Sequence, residues 1–448
     1  MTGAGSISGL LTDLYELTMA AGYVQAGISE HQATFDLTIR RLPACRNYVI
    51  VAGLSQAVEY LTGARFGEEE IRYLRTLPQF ARASEGFFER LRRFHFSGDL
   101  LAMPEGTPVF GGEPILIVRA PLIEAQLAET YLLASIGFQS MVASKASRIV
   151  KAAGARAVVE FGTRRAHSPQ AGVLAGRAAY IGGCAGTSNT LAGFQFGIPV
   201  YGTAGHSWVL AFPDEATAFH RLQELLGPAT IYIVDTYDTV EGVRAAAALG
   251  KPMWGIRLDS GDLAEHAKKA RVILDSAGLA DARIMATGDL NEYRIRDLVE
   301  AGAPIDAFGV GTELVTSSDA PNLGVVYKLV ELESDGTRRY TAKFSEDKAT
   351  YPGAKQVFRY RDRDEIGCAW ERCPPETAQP LIRPVLAGGS LIEPLPSPSA
   401  ARSHAAKALE QLPQALQRLD TAETYRVEYS PALLRVADEA RKRAEEGR

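Results

Sequence analysis

Two stretches concentrate side chains able to do chemistry. "VYGTAGHSWV" sets Thr203 and His206 among glycines, and "MWGIRLDSGD" sets Arg257, Asp259 and Ser260 directly behind an apolar run. An imidazole in such a loosened turn can be a structural core group, a metal ligand or a group that reacts. A metal needs companions, and the chain has no His-Glu-x-x-His and no His/Cys cluster, so a catalytic zinc is disfavoured. Nucleophilic attack on a phosphoryl group suits the reacting imidazole, and the core histidine stays open beside it. Arg257 and Arg164 each follow directly on an apolar run, where a guanidinium suits a carboxylate or phosphate gripped at two points. Asp235 and Asp259 stand behind similar runs. A carboxylate there binds magnesium, steadies a developing positive charge, or bridges to Arg164 or Arg257, and pattern alone does not choose. "ATGDL" and "GVGTEL" are glycine turns opening onto helical segments, so Gly288, Asp289, Gly311 and Thr312 mark places for a phosphate on exposed amides.

These residues share one kind of position, the point where a short apolar run gives way to a polar turn. Seven such runs lie between residue 155 and about 330: "ARAVVEF", "AAYIGG", "IPVYG", "IYIVD", "MWGIR", "RIMAT" and "DAFGV". Their spacing of roughly 20 to 30 residues is that of a strand followed by a helix. The fold class is therefore α/β, with an incomplete (β/α) barrel over 155–330 and its reactive groups at the carboxyl ends of the strands; a doubly wound open sheet is the alternative. Helix N-capping explains Asp262 and many strand-end hydroxyls, but it does not explain arginines.

The flanking segments position this barrel. Residues 1–120 mix helices and strands as an α+β domain, with Asp13 and Glu16 placed as a capping box and "PVFGGEPILIVRAP" as a hairpin turning at Gly111-Gly112. Residues 121–154 read as one linking helix opened by Pro121 and closed by Gly154. Residues 331–400 form a β-rich return segment, with a hairpin turn at Asp335-Gly336 and a Pro/Ser-rich connector from 389, and are expected to pack on the N-terminal domain. Residues 401–448 are expected to be a solvated helical tail.

Composition narrows the class. With 46% apolar and 23% charged residues over 448 positions, the chain reads as an ordinary globular protein of more than one domain. A formal charge of −5 gives no reason to expect a surface for nucleic acid or an anionic membrane. No apolar run is long enough to span a bilayer, the N-terminus lacks the basic start of a signal peptide, and the four scattered cysteines form no disulfide framework; the cytoplasm is the expected compartment.

Taken together and in order, "TDLYELTMA", "FDLTIRRLP", "EFGTRRAHSP", "GTSNTLAG", "YGTAGHSWV", "IRLDSGDL" and "GVGTEL" resemble the nicotinate phosphoribosyltransferases, from about Leu11 to Leu329 and less closely through "LIEPLPSPSAAR". The resemblance implies a type II phosphoribosyltransferase-like fold, an incomplete barrel with an N-terminal α+β sandwich and a C-terminal helical tail. It implies an enzyme joining nicotinate to phosphoribosyl pyrophosphate, giving nicotinate mononucleotide and pyrophosphate in NAD biosynthesis. ATP is then a co-substrate, Mg2+ travels with the pyrophosphate groups and no fixed metal ligand set is expected. His206 becomes the phosphorylated residue. Tyr15 from a neighbouring subunit and Phe161 clamp the nicotinate ring, Thr203 and Arg257 contact it, and Thr312 with Gly288 and Gly311 holds the ribose 5-phosphate. Arg40, Arg164 and Lys328 face the pyrophosphate or nearby phosphates. A homodimer with shared sites and small-molecule partners follows from that sharing.

Rival readings fare less well. A nicotinamide-using relative places an aspartate where Ser188 and Asn189 stand, and neutral residues there favour an acid substrate. A quinolinate-using enzyme is expected to be shorter and more cationic at its site. A lyase or isomerase acting on a sugar phosphate expects a Schiff-base lysine, and no strand end from 155 to 312 carries one.

Overall fold

Five of the apolar runs, together with Gly186–Thr187 just after a sixth, pair as one parallel sheet in the structure, a computed structural model that describes residues 7–344, 350–373, 378–421 and 423–446. The strands are Ala157–Glu160, Gly186–Thr187, Ile231–Ile233, Gly255–Leu258, Arg283–Ala286 and Ala307–Val310. From Ile231–Ile233 the sheet runs through three successive neighbours and then meets the first strand, with Phe308 opposite Val158 and Val310 opposite Glu160. That order is a cylinder cut once, an incomplete (β/α) barrel, and not a doubly wound sheet. Ile256, Leu258, Ile284, Phe308 and Val310 are fully buried in its walls.

Two expected runs form no strand: "AAYIGG" closes the helix Pro169–Ile181, and "IPVYG" stays irregular. Val200 makes a single parallel bridge to Thr187. Pro199 has no amide to donate, and Gly202 follows two residues later, so the segment cannot extend a ladder. The barrel is open along that side. Around it, Ser168, Asn189, Asp214, Asp238, Asp262 and Asn291 each accept amide bonds at a helix start. Each such cap contributes about 1 kcal/mol, and among the described residues the Asp262 carboxylate accepts from the Ala264 and Glu265 amides as a cap.

The chain divides into two compact units: residues 141–321 with 397–421, which contain the barrel, and residues 1–140 with 322–396 and 422–448. The second unit is built on a seven-stranded sheet whose centre is Gln32–Arg41 between Gly324–Ser334 and Pro114–Pro121. Phe35, Leu37, Ile39, Ile117 and Val118 lie in its core. Asp335 and Gly336 turn the hairpin between Ser334 and Thr337, both with positive φ, as a two-residue turn of the primed kind requires.

Several local expectations are corrected here. Pro108–Val109 and Pro114–Pro121 are not hairpin partners: the first pairs with Val49–Ile50, and the second has both edges filled by Gln32–Arg41 and Asp99–Ala102. Pro121 both ends that strand and caps the start of a short helix, Leu122–Gln126, and the long helix runs separately over Glu129–Ala153. Asp13 caps its helix without a side-chain bond. Glu16 does not close the capping box, because the Thr130 amide donates to its carboxylate at 3.0 Å instead.

The C-terminal region is not one solvated helical tail. The helix Pro398–Gln411 belongs to the barrel unit and Pro431–Glu446 to the other. Between them Val427–Tyr429 adds a parallel strand beside Asp364–Cys368, and Leu433 is fully buried. Among the described residues no helix is long and apolar enough to cross a membrane.

Candidate active site

The fourth barrel strand, Gly255–Leu258, delivers Arg257 and Asp259 to the mouth together. Arg257 Nη2 donates to Asp259 Oδ1 at 2.5 Å, Nη1 to Thr203 Oγ1 at 2.7 Å and Nε to Thr287 Oγ1 at 2.8 Å. A guanidinium has five N–H groups in a planar fork. Three are engaged among the described residues, which leaves one on each terminal nitrogen, the arrangement that grips a carboxylate at two points. Thr287 in turn donates a short hydrogen bond to Asp259.

His206 is the first residue of a short helix, His206–Leu210. Its Nδ1 lies 3.1 Å from Thr236 Oγ1 and its Nε2 3.8 Å from Asp259 Oδ2. With 41% of the side chain exposed, this is not a core histidine. Burial alone would raise the Asp259 carboxyl, but the Thr287 hydroxyl, the Arg257 guanidinium and the His206 ring outweigh it and hold the group below the ordinary carboxylate range. Asp259 is thus an anion that faces a cation on one oxygen and an imidazole on the other.

Asp235, at the end of the third strand, serves the same turn from below. Its Oδ2 accepts from the Asp259 amide at 2.9 Å and the Ser260 hydroxyl at 2.7 Å. Its Oδ1 is buried with no hydrogen-bond partner among the described residues. Of the alternatives open in sequence, the bridge to Arg257 belongs to Asp259, and Asp235 pairs with neither arginine. Arg164 stands exposed in the turn Thr163–Arg165 and forms no ion pair among the described residues.

The aromatic floor comes from the first strand. Phe161 packs against Ile231, Met285 and Ala307. A Cβ on Gly309 would fall 2.6 Å from both the Phe161 ring and Thr287 Cγ2, so that glycine is what lets the ring lie against the strand. Below the ring a cavity of about 510 Å³ follows the barrel interior, where Ala157, Ala185, Ala229 and Ala307 stand in place of bulky layers. Glu160, just before Phe161, is fully buried and its carboxyl is raised by that burial; it accepts short bonds from the Gly162 amide and the Thr187 hydroxyl, which join the first two strand ends.

The two glycine turns border the same mouth. Gly288 has φ +91°, and a Cβ there would sit 2.0 Å from the Asp259 carbonyl oxygen. Asp289 follows with φ +45°. Gly311 approaches the Phe161 carbonyl and precedes the four-residue helix Thr312–Val315. The barrel unit therefore gathers His206, Thr203, Arg257, Asp259, Asp235, Phe161 and both turns.

Tyr15, Arg40 and Lys328 belong to the other unit. Tyr15 is 45% exposed on the helix Leu14–Gln25. Arg40 lines a small cavity with Asp36, Lys355, Tyr351 and Tyr429, and Lys328 Nζ donates to the Tyr327 carbonyl at 2.8 Å. Thr236 and Thr287 were not singled out from sequence. The available signal was a threonine directly beside a residue already chosen, after Asp235 and before Gly288.

Comparison with known proteins agrees along the whole chain. Residues 10–137 match the family model of the nicotinate phosphoribosyltransferase N-terminal domain, 142–321 that of the quinolinate phosphoribosyl transferase C-terminal domain, and 369–437 that of the nicotinate phosphoribosyltransferase C-terminal domain. A nicotinate phosphoribosyltransferase of Mycobacterium tuberculosis, pncB2, is 44% identical over 441 residues, covering 96% of this chain and 93% of the relative. The crystal structure of human nicotinic acid phosphoribosyltransferase superposes with a TM-score of 0.84 at 29% identity, over 96% of this chain and 99% of that one. The nicotinate-nucleotide pyrophosphorylase of Pyrococcus furiosus superposes at 0.74 and 26% identity, over 90% and 95%.

Proposed function

Because the chain belongs to the nicotinate phosphoribosyltransferase family, we propose that its barrel mouth joins nicotinate to phosphoribosyl pyrophosphate, releasing pyrophosphate, with ATP coupled through phosphorylation of His206. The observation that carries the substrate is Arg257: with three N–H groups held by Asp259, Thr203 and Thr287, the remaining one on each terminal nitrogen matches a pyridine carboxylate. Phe161 offers one face to the ring, and in this reading Tyr15 of a second copy of the chain offers the other. The exposed Leu11, Leu14 and Met19 around Tyr15 suit burial in such a homodimer.

Cleavage of the ribose–pyrophosphate bond builds positive charge on the sugar and negative charge on the leaving group. The ionised Asp259, with Asp235 behind it, suits the first. The amides of the two glycine turns suit the 5-phosphate, and Arg164, Arg40 and Lys328 suit the pyrophosphate. The buried, unpartnered Asp235 Oδ1 is a hard oxygen that fits Mg2+ carried with pyrophosphate, where the ion would neutralise phosphate charge.

His206 is exposed enough to meet ATP, and Thr236 and Asp259 fix its ring from two sides. The γ-phosphoryl moves to a ring nitrogen as the bond to ADP breaks, and Asp259 steadies the resulting cationic ring. Turnover is to be measured with nicotinate or nicotinamide, with and without ATP, in wild type and His206→Ala. The variant is expected to lose ATP stimulation and keep a slow ATP-independent reaction. Unchanged ATP dependence rules out the phosphohistidine, and equal or better use of nicotinamide rules out the substrate.

A further inference from the structure

Lys145, in the helix Glu129–Ala153, keeps only 1% of its side chain exposed. Its Nζ lies 2.6 Å from Glu292 Oε2, 2.8 Å from Asp319 Oδ1 and 3.7 Å from Glu313 Oε2. Glu292 is itself fully buried and meets Arg148 Nε through its other oxygen at 2.9 Å. A lysine is almost never found this deep unless paired.

Glu292 is well separated in sequence from Glu313 and Asp319, but not in function. Glu292 opens the helix Glu292–Glu300, four residues after Gly288. Glu313 directly follows Thr312, and Asp319 lies just beyond the same short helix. The segment between them is drawn back on itself: Ser317 has φ +44°, and Ser318 gives its amide to the Glu313 carbonyl and a hydroxyl bond to the Glu313 carboxylate. One enclosed ammonium therefore ties the helix behind the first glycine turn to the helix behind the second.

We propose that Lys145 is a positioning residue that sets the separation of the two glycine turns, and through it the affinity for the 5-phosphate of phosphoribosyl pyrophosphate. This rests on the reading of those turns as the phosphate site. Without Lys145, Glu313 and Asp319 lose the cation they share with Glu292, and Glu292 keeps Arg148. Glu292 is buried and Glu313 and Asp319 are only partly exposed, so their like charges repel once the cation is gone and the two turns move apart. A phosphate spanning the amides of both turns and the Thr312 hydroxyl responds to shifts well below the size of an atom.

The test compares Lys145→Met, which keeps the length and removes the charge, with the double variant Glu313→Gln/Asp319→Asn, which unties the second turn and leaves Lys145 with Glu292. The double variant decides the matter if Lys145→Met does not fold. Thr312→Ala serves as the control on the phosphate reading. KM is measured separately for phosphoribosyl pyrophosphate and for nicotinate, together with the melting temperature. Both positioning variants are expected to raise KM for phosphoribosyl pyrophosphate on the order of tenfold while leaving KM for nicotinate unchanged. A lower melting temperature with an unchanged phosphoribosyl pyrophosphate KM, while Thr312→Ala still raises it, overturns the positioning role alone. No effect of Thr312→Ala overturns the phosphate site and the proposal with it.

Discussion

Asp259 at the barrel mouth keeps 27% of its side chain exposed, whereas Glu16, on the first helix of the other unit, is fully buried. Both accept hydrogen bonds from threonine: Thr287 for Asp259, Thr12 and Thr130 for Glu16. Their protonation nevertheless diverges. Burial pushes Glu16 up to about 7, the threonine bonds oppose it, and the nearby Glu129 adds to it. Asp259 stays below the ordinary range because the Thr287 hydroxyl is joined there by the Arg257 guanidinium against one oxygen and by the His206 ring, and together they outweigh its burial. Hydroxyl donors alone do not keep a buried carboxylate ionised; a cation at contact does. The barrel mouth is thus built to hold charge, and the pocket under the Tyr15 helix to hold a neutral acid near pH 7.

The strongest way to break that contrast is to spoil the cation. Arg257→Lys keeps the charge and loses the fork, so nicotinate KM is expected to rise about a hundredfold, equivalent to about 3 kcal/mol. Steady-state kinetics with nicotinate varied at saturating phosphoribosyl pyrophosphate reads this, and a change of less than a few-fold removes Arg257 from substrate recognition.

Glu16→Gln sharpens the other side. A carboxyl whose folded pKa rises from 4.5 to about 7 contributes stability that is complete below pH 4.5 and lost as pH climbs through 7. Thermal melts from pH 5 to pH 8 should therefore show the wild type losing stability relative to the glutamine variant, whose amide does not titrate. The depressed Asp259 has the opposite sign: its contribution is present above the ordinary carboxylate pKa and disappears on acidification. A melting difference between Glu16→Gln and wild type that stays flat with pH would dissolve the contrast.

Thr287→Val should give the smallest effect. It removes one hydroxyl from between Arg257 and Asp259 but leaves their direct contact, for a loss of about 1 kcal/mol, or roughly fivefold in nicotinate KM. A loss as large as that of Arg257→Lys would mean that the hydroxyl, and not the ion pair, orients the guanidinium.

Much of the site was legible in the chain. Strand-end positions reveal themselves because an apolar run must stop where the polypeptide meets water, so Arg257, Asp259, Asp235 and His206 could be selected without coordinates. The glycine turns were legible for a related reason: positive φ at Gly288 and close approach at Gly309 admit little else. Thr236 and Thr287 were not, since a threonine beside a turn looks like any cap until its partner from another strand arrives.

The failures have the same origin. Asp13 and Glu16 have the spacing of a capping box, but Thr130, 114 residues away, offers Glu16 an amide and a hydroxyl in a buried setting. Pro121 has the look of the start of one long helix, yet it pairs opposite Gln32 as the last residue of a strand and caps only the short helix Leu122–Gln126. Local chemistry decided which segments become strands, turns and caps, because those choices depend on neighbours a few residues off. Only the tertiary structure decided which carboxylate is charged, which threonine turns Arg257 outward, and that one lysine answers three distant acids. Those outcomes depend on water being removed and on donors brought together from separate strands, and neither is encoded at any single position.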